Sequence, residues 1–302
     1  MKRLSGVVVP MVTPLTEDDR IDVESVRRLT DWCIEGGLNC LYPCGTTGEM
    51  MYLTVRERME IAETVVEQAA GRVPVFIHAG AWNLKDTLQL ARHAFEIGAD
   101  GIGVVTPVFF KISDQGLVDY YVEIAKNLPD DFPVYLYAIK QNAVNDITPA
   151  VCERIVEKCL NVVGIKYSYP DLARMQDLML VKSGTFDVLP GPDNLFASVC
   201  AAGGRGVVSG NANIVREYYA AIWDAVCHND YEQAMKYQRA VNRLNAIMCK
   251  TNNIAAYKVL LKEEGIINTS KVRKPMDHLA PEQEEELIRT MKKMDYHCIH
   301  AE

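Results

Sequence analysis

One lysine stands in an otherwise apolar stretch of the sequence and could act as a nucleophile. Lys166 follows Val162, Val163, Gly164 and Ile165, a run that predicts a buried strand. Burial removes water from the ammonium group and favours the neutral amine, which can attack a carbonyl to form a Schiff base. The alternative is a lysine that extends to water or pairs with a carboxylate. The neighbours of Lys166 decide between these two interpretations.

A tyrosine and a glycine-rich loop supply such neighbours. Tyr137 ends the preceding predicted strand, so its phenol could transfer protons to and from groups bound at Lys166. The alternative is an aromatic residue that only packs in the barrel. The segment from Gly45 through Thr46 and Thr47 precedes a predicted helix, and glycine there lets backbone N–H groups converge on an anion. A carboxylate suits this loop better than a chain of phosphates, and no Gly-Lys-Ser/Thr follows it.

The chain alternates short β-branched runs with longer helical stretches. The predicted strands are continuous apolar runs, typical of parallel strands covered on both faces, and they cover residues 7–12, 39–42, 74–78, 101–106, 133–137, 162–166, 187–189 and 206–209. No Gly-x-Gly-x-x-Gly follows a strand, which argues against an open doubly wound sheet. We predict an α/β fold, a (β/α)₈ TIM barrel over residues 1–229 with a C-terminal helical extension over residues 230–302, packed together as a single structural unit.

The active site of such a barrel lies where the strands end. The strand ends supply Thr13, the loop 45–49, His78, Thr106, Tyr135, Tyr137, Lys166, Ser168, Gly191, Asp193 and Ser209. His78, Cys40 and Cys44 rank lower, because a buried histidine or thiol is more often a core group.

Composition excludes several classes of protein. The 302 residues carry 32 Lys and Arg against 40 Asp and Glu, and this net charge of −8 argues against nucleic acid or an anionic membrane as a partner. No run of eighteen apolar residues predicts a membrane span. Nine scattered cysteines without a Cys-x-x-Cys motif predict reduced thiols and no structural metal. We therefore expect a cytoplasmic protein.

Four motifs in this order resemble one family, the dihydrodipicolinate synthase / N-acetylneuraminate lyase family of class I, Schiff-base, pyruvate-dependent aldolases. The motifs are Gly45-Thr46-Thr47-Gly48-Glu49, Tyr137, Gly164-Ile165-Lys166 and Gly191-Pro192-Asp193. The similarity runs from about Leu4 to the C-terminal helices. It implies a carbon–carbon lyase that needs no metal or organic cofactor and commonly assembles as a homotetramer, a dimer of dimers.

The resemblance also implies a role for each matching residue. Lys166 would form the Schiff base, Tyr137 would shuttle protons, and Thr46 and Thr47 would bind the pyruvyl carboxylate. Thr47 would also link to Tyr137. The remainder of the substrate would lie near a rim that comprises Ser168, Gly191, Asp193, Asn194 and Ser209, with Asn211 and Asn213 as further hydrogen-bonding groups.

Three positions depart from the synthase pattern that the resemblance implies. Synthases carry an arginine five residues after the shuttle tyrosine, where this chain has Asn142, and a nearby proline is also absent. Lys140 is cationic but stands at a different offset. Phe109 occupies the place of a tyrosine that synthases take from a neighbouring subunit. A missing cation opposite a carboxylate is costly, because charge-assisted hydrogen bonds are the strong ones.

These departures favour an aldolase or lyase of 2-oxo-3-deoxy sugar acids, such as N-acetylneuraminate or 2-keto-3-deoxygluconate. Its partners would be pyruvate and a small aldehyde or a 2-oxo sugar acid. The alternatives are 4-hydroxy-tetrahydrodipicolinate (dihydrodipicolinate) synthase, which condenses pyruvate with aspartate semialdehyde, and a sugar-acid dehydratase. A non-catalytic metabolite-binding homologue is a third hypothesis, motivated by Phe109.

Overall fold

A closed barrel of parallel strands forms the centre of the computed structural model, which describes residues 1–250 and 253–299. The strands are β1 (Gly6–Val9), β2 (Cys40–Leu41), β3 (Phe76–His78), β4 (Gly101–Val105), β5 (Val134–Ala138), β6 (Val162–Tyr167), β7 (Asp187–Pro190) and β8 (Gly206–Val208). They pair in the orders β2-β1-β8 and β3-β4-β5-β6-β7. Leu41 bridges to Val75, and the Arg205 N–H donates to the Val188 carbonyl at 3.1 Å, which joins the two sets. The predicted (β/α)₈ barrel is confirmed.

Helices surround the barrel and continue beyond it. They are α1 (Val23–Glu35), α2 (Val55–Ala69), α3 (Leu84–Glu96), α4 (Asp114–Lys126), α5 (Lys140–Ala143), α6 (Pro149–Val156), α7 (Leu172–Met179), α8 (Val181–Gly184), α9 (Phe196–Ala201), α10 (Arg216–Cys227), α11 (Tyr231–Met248), α12 (Asn253–Glu263) and α13 (Pro281–Lys293). No helix among the described residues is both long enough and apolar enough to cross a membrane.

Local sequence signals explain where these elements begin and end. Thr54 caps α2, since its hydroxyl accepts from the Glu57 N–H while the Glu57 carboxylate accepts from the Thr54 N–H at 2.8 Å. Pro149 occupies the first turn of α6, where its missing N–H costs nothing. The strand predicted over residues 7–12 ends at Val9, because Pro10 has no N–H to donate.

Side chains of each strand alternate between two apolar cores. Leu136 and Ile165 face the layer between barrel and helices, whereas Tyr135 packs inside the barrel. The same two-residue period turns Tyr137 and Lys166 inward, near the carboxyl ends of β5 and β6. The barrel therefore presents these two groups at the end where active sites of this architecture lie.

The helical extension folds back over this end of the barrel. Helix α11 packs against α10 and α9, and α12 packs against α13. Tyr257 of α12 donates its hydroxyl to Asn211 Oδ1, in the loop after β8, at 2.9 Å. Side chains from late in the chain thus reach the strand ends.

Candidate active site

Lys166 lies deep in the barrel without a counter-ion. It pairs in register with Tyr137 on the neighbouring strand, and its Nζ atom lies 4.2 Å from the centre of the Tyr137 ring. Tyr42 offers a second ring at 5.8 Å from the same atom. The side chain is 7% exposed, and no residue within 1–250 or 253–299 forms an ion pair or hydrogen bond with Nζ. Neither extension into water nor a carboxylate pair describes this lysine.

The Tyr137 phenol is held by Thr46. The two hydroxyl oxygens lie 3.1 Å apart. The expected link from Thr47 to Tyr137 is therefore wrong. The reason is the tight turn of the loop, in which the Glu49 N–H donates to the Thr46 carbonyl at 3.0 Å, so that the two threonines point in different directions. Thr47 Oγ1 instead faces Gly210, where a Cβ atom would lie only 3.3 Å away.

The loop between β2 and α2 also presents unsatisfied backbone donors. No described residue accepts a hydrogen bond from the N–H groups of Thr46 or Thr47. Thr13 fixes the turn from below, because its hydroxyl donates to the Gly48 carbonyl at 2.8 Å. The two adjacent N–H groups, with the hydroxyl of Thr47 on the cavity wall, form a cradle that can donate to a small anion such as a carboxylate.

A cavity of about 500 Å³ opens above Lys166. Most of the predicted site residues line it, namely Thr46, Thr47, Tyr137, Lys166, Ser168, Gly191 and Asp193. Asn194 instead is exposed on a neighbouring depression, and Ser209 is fully buried outside the cavity wall. The strand-end rule placed both residues near the rim, but the turn after β7 directs Asn194 away. Ser209 follows Val208, which lines the cavity, and therefore faces the other way, toward the helices.

Asp193 is the acidic group of the cavity wall, and its neighbours hold it firmly. Its carboxylate accepts hydrogen bonds from Asn211 Nδ2 and from the Tyr219 hydroxyl, both at 2.9 Å. Burial raises the pKa of Asp193, and the hydrogen bonds from its neighbours oppose that shift. Asn211 therefore supports Asp193, and Asn213 bonds the Pro10 carbonyl at 3.0 Å, so neither lines the cavity as predicted.

Sequence reasoning missed three polar residues of the cavity wall. Gln141 lies just past β5 and donates to the Ser168 carbonyl at 2.8 Å. Asn253 and Tyr257 come from α12. No local pattern marks Gln141 in its short helix, and only the return of the helical extension brings Asn253 and Tyr257 to the barrel.

The positions that depart from the synthase pattern leave the cavity with little positive charge. Asn142 is exposed and lines the cavity, whereas Lys140 lies with Nζ 3.4 Å from the centre of the Tyr169 ring. Among the described lining residues, Lys166 is the sole basic side chain. Phe109 is 72% exposed and does not line the cavity.

The lower-ranked candidates are core groups. His78 lies between the rings of Tyr42 and Tyr137, and burial, with the charges of Arg58 and Lys166, holds the pKa of its imidazole well below the usual value. Burial raises the pKa of the Cys44 thiol to about 11. The cysteines are free, and those at the end of the barrel, Cys40 and Cys44, are buried away from the cavity.

Comparison with known proteins matches this geometry to an enzyme family. The model of the dihydrodipicolinate synthetase family matches residues 3–294. A 4-hydroxy-tetrahydrodipicolinate synthase of Thermus thermophilus is 33% identical over 284 residues, which cover 94% of each chain.

Two solved structures share the fold and bear on the chemistry. YagE of E. coli K12, a prophage protein of the dihydrodipicolinic acid synthase family solved in complex with pyruvate, superposes with a TM-score of 0.91 at 26% identity and covers 97% of this chain and 99% of its own. A catalytic lysine mutant of Ruminococcus gnavus sialic acid aldolase superposes with a TM-score of 0.92 at 26% identity and 98% coverage of each chain. This chain belongs to the dihydrodipicolinate synthetase family, the class I Schiff-base, pyruvate-dependent lyases.

Proposed function

We propose that this enzyme is an aldolase or lyase of 2-oxo-3-deoxy sugar acids, with pyruvate as the shared substrate or product. The observation that carries this proposal is the charge of the cavity. Lys166 is its one basic group among the described lining residues and is consumed by imine formation, which leaves no cation for a second carboxylate. Asn142, Gln141, Ser168 and Asp193 instead offer hydrogen bonds that suit hydroxyl groups.

The residues divide the reaction between them. The Lys166 amine attacks the C2 carbonyl of the 2-oxo acid, and loss of water gives an iminium while the Thr46 and Thr47 cradle holds the carboxylate. Tyr137, oriented by Thr46, gives its phenolic proton to the hydroxyl that leaves the carbinolamine as water, and then accepts the proton of the C4 hydroxyl as the C3–C4 bond breaks and an aldehyde leaves. The bonding electrons form an enamine, which takes that proton from Tyr137 at C3. Water then hydrolyses the imine, returns a proton to Tyr137 and releases pyruvate from Lys166.

The competing assignment is 4-hydroxy-tetrahydrodipicolinate synthase, and the name of the Thermus thermophilus relative favours it. That reaction must bind the carboxylate of aspartate semialdehyde beside the imine. In this chain Asn142 stands where the family pattern implies an arginine, and Lys140 is held over Tyr169. The sialic acid aldolase neighbour favours the first assignment.

A substrate panel separates the two assignments. We expect N-acetylneuraminate or 2-keto-3-deoxygluconate to release pyruvate, measured by coupled reduction to lactate, at a kcat/KM at least tenfold above that for pyruvate with aspartate semialdehyde. A preference for aspartate semialdehyde would overturn the proposal, and loss of water without pyruvate release would identify a dehydratase. The variant N142R is a matched control, because an added cation should raise use of the semialdehyde and lower use of the sugar acid.

Assembly and cofactor independence belong to the same proposal. We infer a cytoplasmic homotetramer, a dimer of dimers, whose reaction needs no metal or organic cofactor. The adjacent exposed side chains of Phe109 and Phe110 support association between subunits. Light scattering that gives the 33.8 kDa of one chain would exclude the tetramer. Loss of turnover after dialysis against EDTA would show that the reaction needs a metal ion.

A further inference from the structure

A fully buried ion pair joins the helical extension to the loop that carries the catalytic threonines. Lys258 of α12 meets the carboxylate of Glu49, the last residue of the Gly-Thr-Thr-Gly-Glu loop, and both side chains are 0% exposed. Neither residue lines the cavity, so neither touches the substrate. The proposed function makes no use of this pair.

Hydrogen bonds on both sides hold the pair in place. The second carboxylate oxygen of Glu49 accepts from the backbone N–H of Arg273 at 2.7 Å, and the Lys258 ammonium donates to the Lys271 carbonyl at 2.6 Å. Burial lowers the pKa of Lys258, and the Glu49 carboxylate opposes that shift. Removal of either partner would leave a buried charge without compensation, and such a charge draws its segment toward water.

Glu49 transmits its position directly to the threonines. Its backbone adopts the left-handed conformation, with φ 61° and ψ 33°, and its N–H closes the turn on the Thr46 carbonyl at 3.0 Å. A non-glycine residue keeps this conformation only where its surroundings enforce it. A shift of the Glu49 side chain therefore moves the turn that aims Thr46 at Tyr137 and presents the N–H cradle.

Helix α12 acts on the same site from a second direction. Tyr257, next to Lys258, lines the cavity and packs close to Gly210, where a Cβ atom would lie 3.2 Å from its ring. Thr47 faces the same glycine. The helix that anchors Glu49 thus also supplies a cavity-wall residue that lies beside the same glycine as Thr47.

We propose that Lys258 and Glu49 are a positioning pair that aims the Thr46–Thr47 cradle at the substrate carboxylate, so that the helical extension is part of the catalytic apparatus. The inference depends on imine formation with pyruvate, which the family shares, and is independent of the identity of the second substrate. It assigns the extension a role beyond stabilising the barrel.

Trapping of the pyruvate imine tests this role. The wild-type protein and the variants K258M and E49Q are incubated with graded pyruvate and sodium borohydride, and mass spectrometry follows the reduced adduct on Lys166. Below the melting temperature of each variant, we expect the pyruvate concentration for half-maximal trapping to rise at least tenfold in K258M and about threefold in E49Q. The neutral pair E49Q/K258M should recover part of the loss of K258M.

A matched variant separates positioning from stability. V259A removes buried methyl groups from the neighbouring position of α12 and should lower the melting temperature while half-maximal trapping stays within twofold of the wild type. If K258M and E49Q also stay within twofold, the pair is structural only and the proposal is wrong. If K258M does not fold, E49Q decides alone, because glutamine keeps the size of Glu49 and an acceptor for the Arg273 N–H.

Discussion

Among the residues that the structure describes, two lysines are buried, and their surroundings give them opposite roles. Lys258 faces a carboxylate and donates to a backbone carbonyl, so its charge has a counter-ion. Lys166 lies among aromatic rings, and within residues 1–250 and 253–299 no acidic group forms an ion pair with it. Burial is common to both, and the partner differs.

The contrast shows why burial alone is a weak indicator of a nucleophile. A desolvated ammonium with a carboxylate beside it remains a cation that stabilises its surroundings. A buried amine without such a partner has no carboxylate to hold it back from a carbonyl. The absence of a counter-ion among the described residues distinguishes Lys166 from Lys258, and it predicts opposite consequences when each lysine is replaced.

The largest effect is expected for K166M. Loss of the nucleophile should lower kcat by at least about a thousandfold, because no other described amine faces the cavity. Thermal stability should stay equal or rise, since methionine replaces an unpaired polar group with an apolar one of similar length. Scanning calorimetry and turnover assays measure both. Pyruvate trapped on another lysine of the variant would contradict the assignment of Lys166.

The Y137F variant tests whether Lys166 depends on the ring or on the hydroxyl of its neighbour. Phenylalanine keeps the ring beside Nζ and removes the proton-transfer group, so we expect kcat to fall by about 10² to 10⁴. Borohydride trapping of pyruvate should persist, because the amine stays in place. A variant with wild-type turnover would show that Tyr137 only packs.

The K258M variant tests how much the ion pair with Glu49 contributes to the free energy of unfolding. An uncompensated Glu49 carboxylate should cost about 3–5 kcal/mol of the free energy of unfolding, whereas K166M should cost none. Urea denaturation of the two variants measures the difference. Equal losses of unfolding free energy in the two variants would show that the ion pair with Glu49 does not determine what Lys258 contributes to stability.

The sequence pattern could predict one of these lysines but not distinguish the two. The apolar run around Lys166 predicted a buried side chain, and the structure leaves this residue only 7% exposed. Lys258, between Tyr257 and Val259, presents a similar apolar context, yet its partner is far away in the chain. Local patterns report burial, whereas compensation of charge depends on contacts between distant segments.

The loop residues illustrate a second limit. The spacing of Gly45, Thr46 and Thr47 predicted a site for an anion, and among the described residues no acceptor takes the N–H groups of the two threonines. It did not show which hydroxyl reaches Tyr137, because in a tight turn the direction of a side chain depends on one backbone dihedral angle. The strand ends likewise indicated Asp193 correctly but misplaced Asn194 and Ser209. Regular strands are thus more predictable than the turns that follow them.

The smallest effects are expected when the two threonines near Lys166 are replaced. In T46V the Tyr137 phenol loses its partner at 3.1 Å, and a lost hydrogen bond of about 1–1.5 kcal/mol should lower kcat about tenfold with little change in KM for pyruvate. T47V keeps that bond and removes a hydroxyl from the carboxylate cradle, so KM for pyruvate should rise more than kcat falls. Both variants keep the size and shape of threonine. Exchanged phenotypes would mean that Thr47, as the sequence suggested, serves Tyr137 during turnover, and the turn would then have to rearrange when substrate binds.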